Sequence, residues 1–355
     1  MLEVIPLEAV RSSAEQDLAA ASVDSTVDAA LAAAYLLRWK NAQYLTQLRQ
    51  QSVNTPELKT KATTVYEQVQ EAERLLVAPH HLAADYELGT ARYENELVGV
   101  GDSTWLLTEA QHGTSIVRKN REKGATVSSP DYGTAGLAYV LAQQGIGRSI
   151  IPLGRQTSGA NGNPEHPIQK EIVAQFAHTP YTDFVSVHGM YPGKVTHLRD
   201  TTEVHAVLGL GLNPRQASVE LAKKVQSEAK DRYDLRVLLG NEQPHINMAV
   251  DPYREHEFWG RTRKPERDEK TGEIKVARLA ALFENSTTTR VTELTADRPE
   301  VTSLQVETAR SLLLMPKDVY RRDRDVEVAG VYLGYCLFSL VAELAAQQAG
   351  RPNGS

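Results

Sequence analysis

The sequence predicts an α/β fold, a doubly wound and mainly parallel sheet with an N-terminal helical extension. From about residue 104, short apolar runs alternate with helical segments, which is typical of crossover units whose helices cover both faces of a parallel sheet. Before about residue 95, alanine and leucine recur at helical spacing with few glycines or prolines. We therefore divide the chain into a helical region, residues 1–95, and an α/β domain, residues 96–355.

Two helices joined by a polar turn are predicted in the N-terminal region. The first covers residues 24–51. The second begins with Thr55 as its N-cap and Pro56 in the first helical position, where proline is well tolerated, and fades near Pro79. We expect this helical hairpin to serve in packing or in homo-oligomer formation, well ahead of any catalytic role.

Seven strands and three helices between them are predicted in the α/β domain. The strands are residues 104–108, 148–153, 183–187, 204–210, 235–239, 290–294 and 303–306, and the helices are 134–144, 167–177 and 215–230. A later uncharged run, residues 328–342, is shorter than the roughly 20 apolar residues that span a bilayer, so we predict a buried helix there. Folds of this class bind ligands beyond the carboxyl ends of their strands.

Composition excludes several classes of protein. The 39 Lys and Arg against 45 Asp and Glu give a net charge of −6, which argues against an extensive nucleic-acid-binding surface. Cys336 is the only cysteine, so the chain forms no internal disulfide and no CxxC pair. Because the first residues lack a basic segment of the secretory type, we expect a cytoplasmic protein with no membrane partner. The polar segment 254–275 is expected to be a solvated loop or, alternatively, a lid.

Two predicted strands are followed by a His-Gly dipeptide, His112-Gly113 and His188-Gly189. Glycine beside a histidine permits a close approach of the backbone or a positive φ. A single histidine at a strand end is more often structural. Two of them on separate strands of one sheet are equally consistent with a metal or catalytic site and with a structural role.

Asp131 precedes the predicted helix 134–144, where a carboxylate can cap the free backbone amides. It could instead complete a His–carboxylate–His set with His112 and His188. Three protein ligands with a fourth position left for water are the arrangement of catalytic zinc sites, and this donor set suits Zn²⁺ better than Mg²⁺ or Ca²⁺. If Asp131 only caps the helix, Glu109 is the next candidate, although strand residues three apart point to opposite faces.

Glu307 directly follows the predicted strand 303–306 and would face the same crevice. A glutamate in that position could transfer protons to and from a reacting substrate. The alternative is an exposed glutamate at the end of a strand.

The order of these motifs resembles that of the N-formylglutamate amidohydrolases and poly-γ-glutamate hydrolases, which are relatives of the zinc carboxypeptidases. The resemblance covers about residues 104–316 and consists of short matches: His112-Gly113, Asp131-Tyr132-Gly133-Thr134, Gly154-Arg155, Val187-His188-Gly189 and Gln305-Val306-Glu307. It implies a doubly wound α/β fold, one catalytic Zn²⁺ and the hydrolysis of an amide bond in a small glutamyl-like or peptidic substrate.

The resemblance also implies roles for single residues. His112, Asp131 and His188 match metal ligands, and Glu307 matches the catalytic glutamate. Arg155 matches an arginine in the region that holds the carboxylate of the substrate. Arg199 and Arg290 are further candidates for that role, although the resemblance does not assign them.

Two alternatives to an amidohydrolase remain. One is a non-catalytic protein on the same scaffold that binds a ligand or assembles through its N-terminal helices. The other is a zinc hydrolase that cleaves an ester or an amide in a specialised small molecule. Retention of Glu307 and of both His-Gly pairs favours an enzyme.

Overall fold

The computed structural model describes residues 55–76, 96–113, 116–120, 124–128, 131–153, 156, 163–190, 204–240, 286–314 and 324–351. In chain order its elements are α1 (Pro56–Leu76), β1 (Glu96–Val100), β2 (Leu106–Glu109), β3 (Ile116–Asn120), β4 (Gly124–Ser128), α2 (Thr134–Gln143), β5 (Arg148–Leu153), α3 (Pro167–His178), β6 (Asp183–Met190), β7 (Ala206–Gly209), α4 (Gln216–Tyr233), β8 (Val237–Leu239), α5 (Thr287–Leu294), β9 (Thr302–Ala309), a 3₁₀ turn (Arg310–Leu312) and α6 (Arg324–Gln348).

The main sheet has seven strands in the order β1-β5-β2-β6-β9-β7-β8. Strands β5, β2, β6 and β9 are mutually parallel, whereas β1 pairs antiparallel with β5 and β7 pairs antiparallel with β9. Strands β3 and β4 form a separate antiparallel hairpin. The predicted fold class, a mainly parallel sheet with helices on both faces, is confirmed.

Strand β2 lies where the chain switches sides in the sheet. The chain leaves β2 through α2 to β5 on one side, and then crosses through α3 to β6 on the other side. Helices that diverge in this way leave a crevice beyond the carboxyl ends of the central strands, and α/β proteins place their ligands there. The carboxyl ends of β2, β6 and β9 share this edge, because the three strands are parallel.

Each face of the sheet has its own apolar core, since successive strand residues point to opposite sides. Helices α1, α2, α4 and α6 pack on one face, where Leu106, Val185 and Val306 are buried. Helices α3 and α5 cover the other face, where Leu107 and Phe184 are buried. Apolar burial on both faces explains why these strands are continuous hydrophobic runs in the sequence.

Helix α6 confirms the prediction of a buried helix near the C-terminus. Among the described residues it is a helix long and apolar enough to cross a membrane, but 89% of its apolar window is buried inside the protein. Gly330 and Gly334 lie against the backbone carbonyl oxygens of Ser311 and Leu312, so a side chain at either glycine would collide with the turn after β9. The helix therefore packs directly beneath that turn.

The predicted strand at residues 290–294 is wrong, because these residues belong to helix α5. Valine and threonine favour strands in the sequence pattern. The Ser286 side chain, however, accepts a hydrogen bond from the Thr289 amide at 3.1 Å and begins a helix. Val291 is then buried against α3, so that local capping and packing decide against the strand preference.

The other six predicted strands and all three intervening helices are present, with ends that differ by a few residues. Strand β1 and the β3–β4 hairpin were not predicted. The predicted helix at 24–51 and the polar segment at 254–275 lie outside the described residues.

Helix α1 packs on the α/β domain through a buried carboxylate. Its apolar side joins the core beneath α2 and α6, and Glu73 Oε1 accepts a hydrogen bond from the Gly136 amide at 2.7 Å. Helix α2 has no side-chain cap at its own N-cap, Gly133, so Glu73 supplies an acceptor to its first turn. Burial raises the pKa of Glu73 from 4.5 to about 7, while the backbone hydrogen bonds of Gly136 and Gly133 oppose that shift.

We expect Glu73→Gln to remove a pH dependence of stability. The carboxyl group ionises near pH 4.5 in the unfolded chain and near pH 7 in the folded protein, so its stabilising contribution is complete below pH 4.5 and is lost as the pH rises through 7. The full loss is about 3 kcal/mol. Denaturant unfolding between pH 4 and 8 should therefore show a steeper decline for the wild type than for the variant.

Glu71→Gln is the matched control, because Glu71 lies on the same helix but is exposed and paired with Arg74. Equal pH profiles for the wild type and Glu73→Gln would contradict the assignment.

Candidate metal centre

Three side chains converge at the carboxyl edge of the central strands. His112 lies in the turn after β2, Asp131 precedes α2, and His188 lies in β6. One nitrogen or oxygen atom from each of them lies within 4.8 Å of the others. His112 Nδ1 is 3.4 Å and His188 Nδ1 is 3.9 Å from Asp131 Oδ2. The two imidazole rings meet edge to face, with centroids 4.7 Å apart.

This geometry fits a bound cation. Two ligands about 2.1 Å from a tetrahedral ion lie about 3.4 Å from each other, which is close to the separations from Asp131 Oδ2. The imidazole and carboxylate donors suit Zn²⁺ and other transition metals. His188 is 2% exposed, while the His112 side chain retains 22% exposure, so the group lies at the wall of the crevice and remains accessible from solvent.

Asp131 is held from both neighbouring strands. Its amide donates to the carbonyl oxygen of His112 at 2.7 Å, and its Oδ2 accepts from the Gly189 amide at 3.1 Å. Residues between His112 and Asp131 include the β3–β4 hairpin, whose antiparallel pairing returns the chain to its starting point. Asp131 Oδ2 thus faces both histidines. The N-cap residue of α2 is Gly133, not Asp131, and no side-chain cap hydrogen bond forms at this helix start.

The glycine after each histidine is required by a close approach. A Cβ atom at Gly113 would lie 2.7 Å from the Ala135 Cβ in α2. A Cβ atom at Gly189 would lie 3.1 Å from both the Asp131 Cβ and the Leu313 Cδ1. Helix α2 therefore packs closely against Gly113, and the loop that carries Asp131 packs closely against Gly189.

Glu307 lies beside the cluster on β9, directly opposite His188 in the parallel pairing of β6 and β9. It is 5% exposed, and its Oε1 accepts a hydrogen bond from Gln305 Nε2 at 2.7 Å. Residues directly opposite in neighbouring parallel strands point to the same face. Among the described residues, Glu307 is outside the group of three ligand atoms.

A buried polar network that the sequence analysis missed lies behind His188. Ser186 Oγ is 2.9 Å from His188 Nε2 and 2.5 Å from Glu109 Oε1, and Thr287 of α5 also donates to Glu109 Oε1 at 2.9 Å. Gln111 Nε2 is 2.8 Å from His188 Nε2. Glu109 thus belongs to this network, outside the group of ligand atoms. The sequence signal for this network is the spacing of Ser186 and His188, because strand residues two apart point to the same face of the sheet.

The Glu109 carboxyl group has a raised pKa because it is fully buried, and the hydroxyl groups of Ser186 and Thr287 oppose that shift. A buried carboxyl group of this kind is held in place by its hydrogen bonds, since leaving them unmade would cost free energy.

The three arginines proposed for substrate binding have different positions. Arg155 and Arg199 lie outside the described residues. Arg290 lies on α5, where its guanidinium is 3.4 Å from Glu293 and its side chain is 40% exposed. The expectation that Arg290 begins a strand is wrong, and the same residue instead makes an ion pair on the surface of a helix.

Comparisons with known proteins give distant structural likenesses. No family model and no curated protein match the sequence. The crystal structure of N-formylglutamate amidohydrolase from Ralstonia eutropha is 12% identical, with a TM-score of 0.37, over 72% of this chain and 99% of that one. A candidate carboxypeptidase A from Shewanella denitrificans is 15% identical, with a TM-score of 0.30, over 70% of this chain and 60% of that one. Both likenesses are distant.

We expect Gly189→Ala to weaken cation binding while leaving the fold intact. The added methyl group would press on the Asp131 side chain and on Leu313, which displaces the carboxylate from the two histidines. Displacing a group that holds a ligand in place costs about 10- to 100-fold in metal affinity. Calorimetric titration of metal-free protein with Zn²⁺ measures the change.

Gly99→Ala in β1 is the control, because a Cβ atom there meets mainly the flexible end of the Arg148 side chain. Equal affinities for the two variants would show that the Gly189–Asp131 contact does not support a metal site.

Proposed function

We propose that the protein is a metal-dependent hydrolase that cleaves an amide bond in a small substrate bearing a carboxylate, with Zn²⁺ as the ion. The observation that carries the proposal is the convergence of His112, Asp131 and His188 at the switch point of the sheet, with Glu307 on the neighbouring strand. Catalytic zinc sites use three protein ligands of these types and leave a further position open.

Each proposed ligand is held by a different part of the fold, which would keep the arrangement of the ligands fixed during a reaction. Asp131 is tied to the turn after β2 by its backbone and to β6 by its carboxylate. His188 is nearly fully buried within the sheet, and His112 lies at the solvent side. A Zn²⁺ ion held by His112, Asp131 and His188 would polarise a substrate carbonyl group and would lower the pKa of water to about 7, which would supply a nucleophile at neutral pH.

Glu307 is proposed as the general acid and base. Glu307 lies opposite His188 on the neighbouring strand, and the backbones of neighbouring strands are about 4.8 Å apart. It is therefore close to a proposed metal ligand but is not itself proposed as a ligand. In this role it takes a proton from the attacking water and delivers it to the leaving nitrogen. The hydrogen bond from Gln305 orients one carboxylate oxygen.

The substrate class rests on the sequence resemblance. N-acyl and γ-glutamyl amides are the proposed substrates, and Arg155, Arg199 and Arg290 are the candidates to bind their carboxylate. Arginine suits this role because its planar guanidinium forms paired hydrogen bonds with a carboxylate.

We expect His188→Ala and Glu307→Gln to separate metal binding from turnover. His188→Ala removes a ligand, so it should lose Zn²⁺ and all hydrolysis. Glu307→Gln should retain one Zn²⁺ per chain but lose about 10²–10⁴-fold in kcat, the range for removal of a general acid or base. Metal analysis of protein purified without chelators, with a hydrolysis screen of N-acyl and γ-glutamyl amides, tests both variants.

Glu300→Gln is the control for lost charge, because Glu300 is close to β9 in sequence but 60% exposed. Wild-type protein that holds no zinc, and that hydrolyses none of these amides after zinc is added, would contradict the proposed function. Wild-type activity in both the His188 and Glu307 variants would contradict the roles.

A further inference from the structure

The groups behind His188 form a continuous buried chain from β2 to β6. Ser186 Oγ stands between His188 Nε2, at 2.9 Å, and Glu109 Oε1, at 2.5 Å. Ser186 and Glu109 are completely buried, and so is Thr287 at the start of α5, whose hydroxyl also donates to Glu109. Because these groups are shielded from water, each of their hydrogen-bond donors needs an acceptor in the protein.

The direction of the hydrogen bonds follows from the count of donors. A distance of 2.5 Å between Ser186 Oγ and Glu109 Oε1 is typical of a hydroxyl group that donates to a carboxylate. Ser186 has a single hydroxyl proton, and that proton is then used on Glu109. With Glu109 ionised, the serine oxygen faces His188 Nε2 with its lone pairs, so Nε2 carries the proton in this contact.

A proton on Nε2 leaves Nδ1 of the same ring as the unprotonated nitrogen. His188 Nδ1 is the atom that faces Asp131 Oδ2, at 3.9 Å, within the group of ligand atoms. The hydrogen bonds at Nε2 therefore favour the tautomer in which Nδ1 is unprotonated, and a cation binds to an unprotonated ring nitrogen. The Gln111 amide nitrogen lies 2.8 Å from Nε2, while its buried oxygen has no hydrogen-bond partner among the described residues. Since amide oxygen and nitrogen are assigned from the hydrogen-bond network, a half turn of this amide lets the oxygen accept from the same N–H.

We infer that Ser186, anchored by Glu109, is a positioning residue for the metal site: it holds the His188 ring in the Nε2–H tautomer and directs Nδ1 to the cation. Histidine ligands commonly donate their second ring N–H to a carboxylate. Here a serine stands between the two groups and extends the contact to a carboxylate on the neighbouring strand. The inference rests on the proposed function for the cation, whereas the tautomer is a property of the metal-free chain.

The first test measures the tautomer without metal. Long-range ¹H–¹⁵N correlation spectra of protein labelled with ¹⁵N-histidine distinguish Nδ1–H from Nε2–H rings, and His188→Ala assigns the His188 signals. We expect the Nε2–H form in the wild type, and a shift towards the Nδ1–H form or a mixture of the two in Ser186→Ala. An Nδ1–H ring in the wild-type protein would overturn the inference, whatever the protein does with zinc.

The second test measures affinity for Zn²⁺ alone, by titration of the same proteins against a competing chelator. Ser186→Ala should bind about 10-fold more weakly or worse, which is the usual effect of losing such a support. Ser149→Ala is the matched control, since Ser149 is equally buried and bonds to Thr108 and to the Ala138 carbonyl in the opposite core. Equal losses in the two variants would overturn the inference. Zinc binding by the wild type tests the proposed function separately.

Discussion

The hydrogen bond from the Gly189 amide to Asp131 Oδ2 is the contact on which the candidate site depends. It joins the loop before α2 to the end of β6, and a side chain at residue 189 would crowd it, since a Cβ atom there would lie 3.1 Å from the Asp131 Cβ. Without it, Asp131 would be a polar residue near a helix terminus. With it, a carboxylate stands between two imidazoles, one from the turn after β2 and the other from β6.

The surroundings of the cluster are unusually polar for the interior of a sheet. Glu109, Ser186 and Glu307 all lie on inward-facing strand positions that an ordinary core would fill with apolar side chains. Burying such groups costs free energy unless each is hydrogen bonded, and the contacts of Thr287 and Gln305 with one oxygen of each carboxylate supply part of that compensation. Buried ionisable groups with shifted pKa values cluster at functional sites in proteins.

The same edge of the protein is supported from outside the sheet. Glu73 of α1 accepts from the first turn of α2, and α2 follows directly on the loop that carries Asp131. Helix α6 presses on the turn after β9, close to Glu307 in the sequence. The helices at both ends of the described chain thus brace the two segments that flank the candidate site.

The alternation of apolar strands and helices was sufficient to predict the fold class, because burial on both faces imposes the same pattern on any parallel sheet. The His-Gly pairs, Asp131 and Glu307 were also recognisable, since each lies within a few residues of a strand end or a helix start. Whether Asp131 or Glu109 faces the histidines was decided by the tertiary structure, through the β3–β4 hairpin that returns the chain to His112. The same holds for Ser186 and Thr287, which meet Glu109 only because their elements are adjacent in space. Residue type and spacing report local geometry, whereas a hydrogen bond between segments distant in sequence depends on how the whole sheet is assembled.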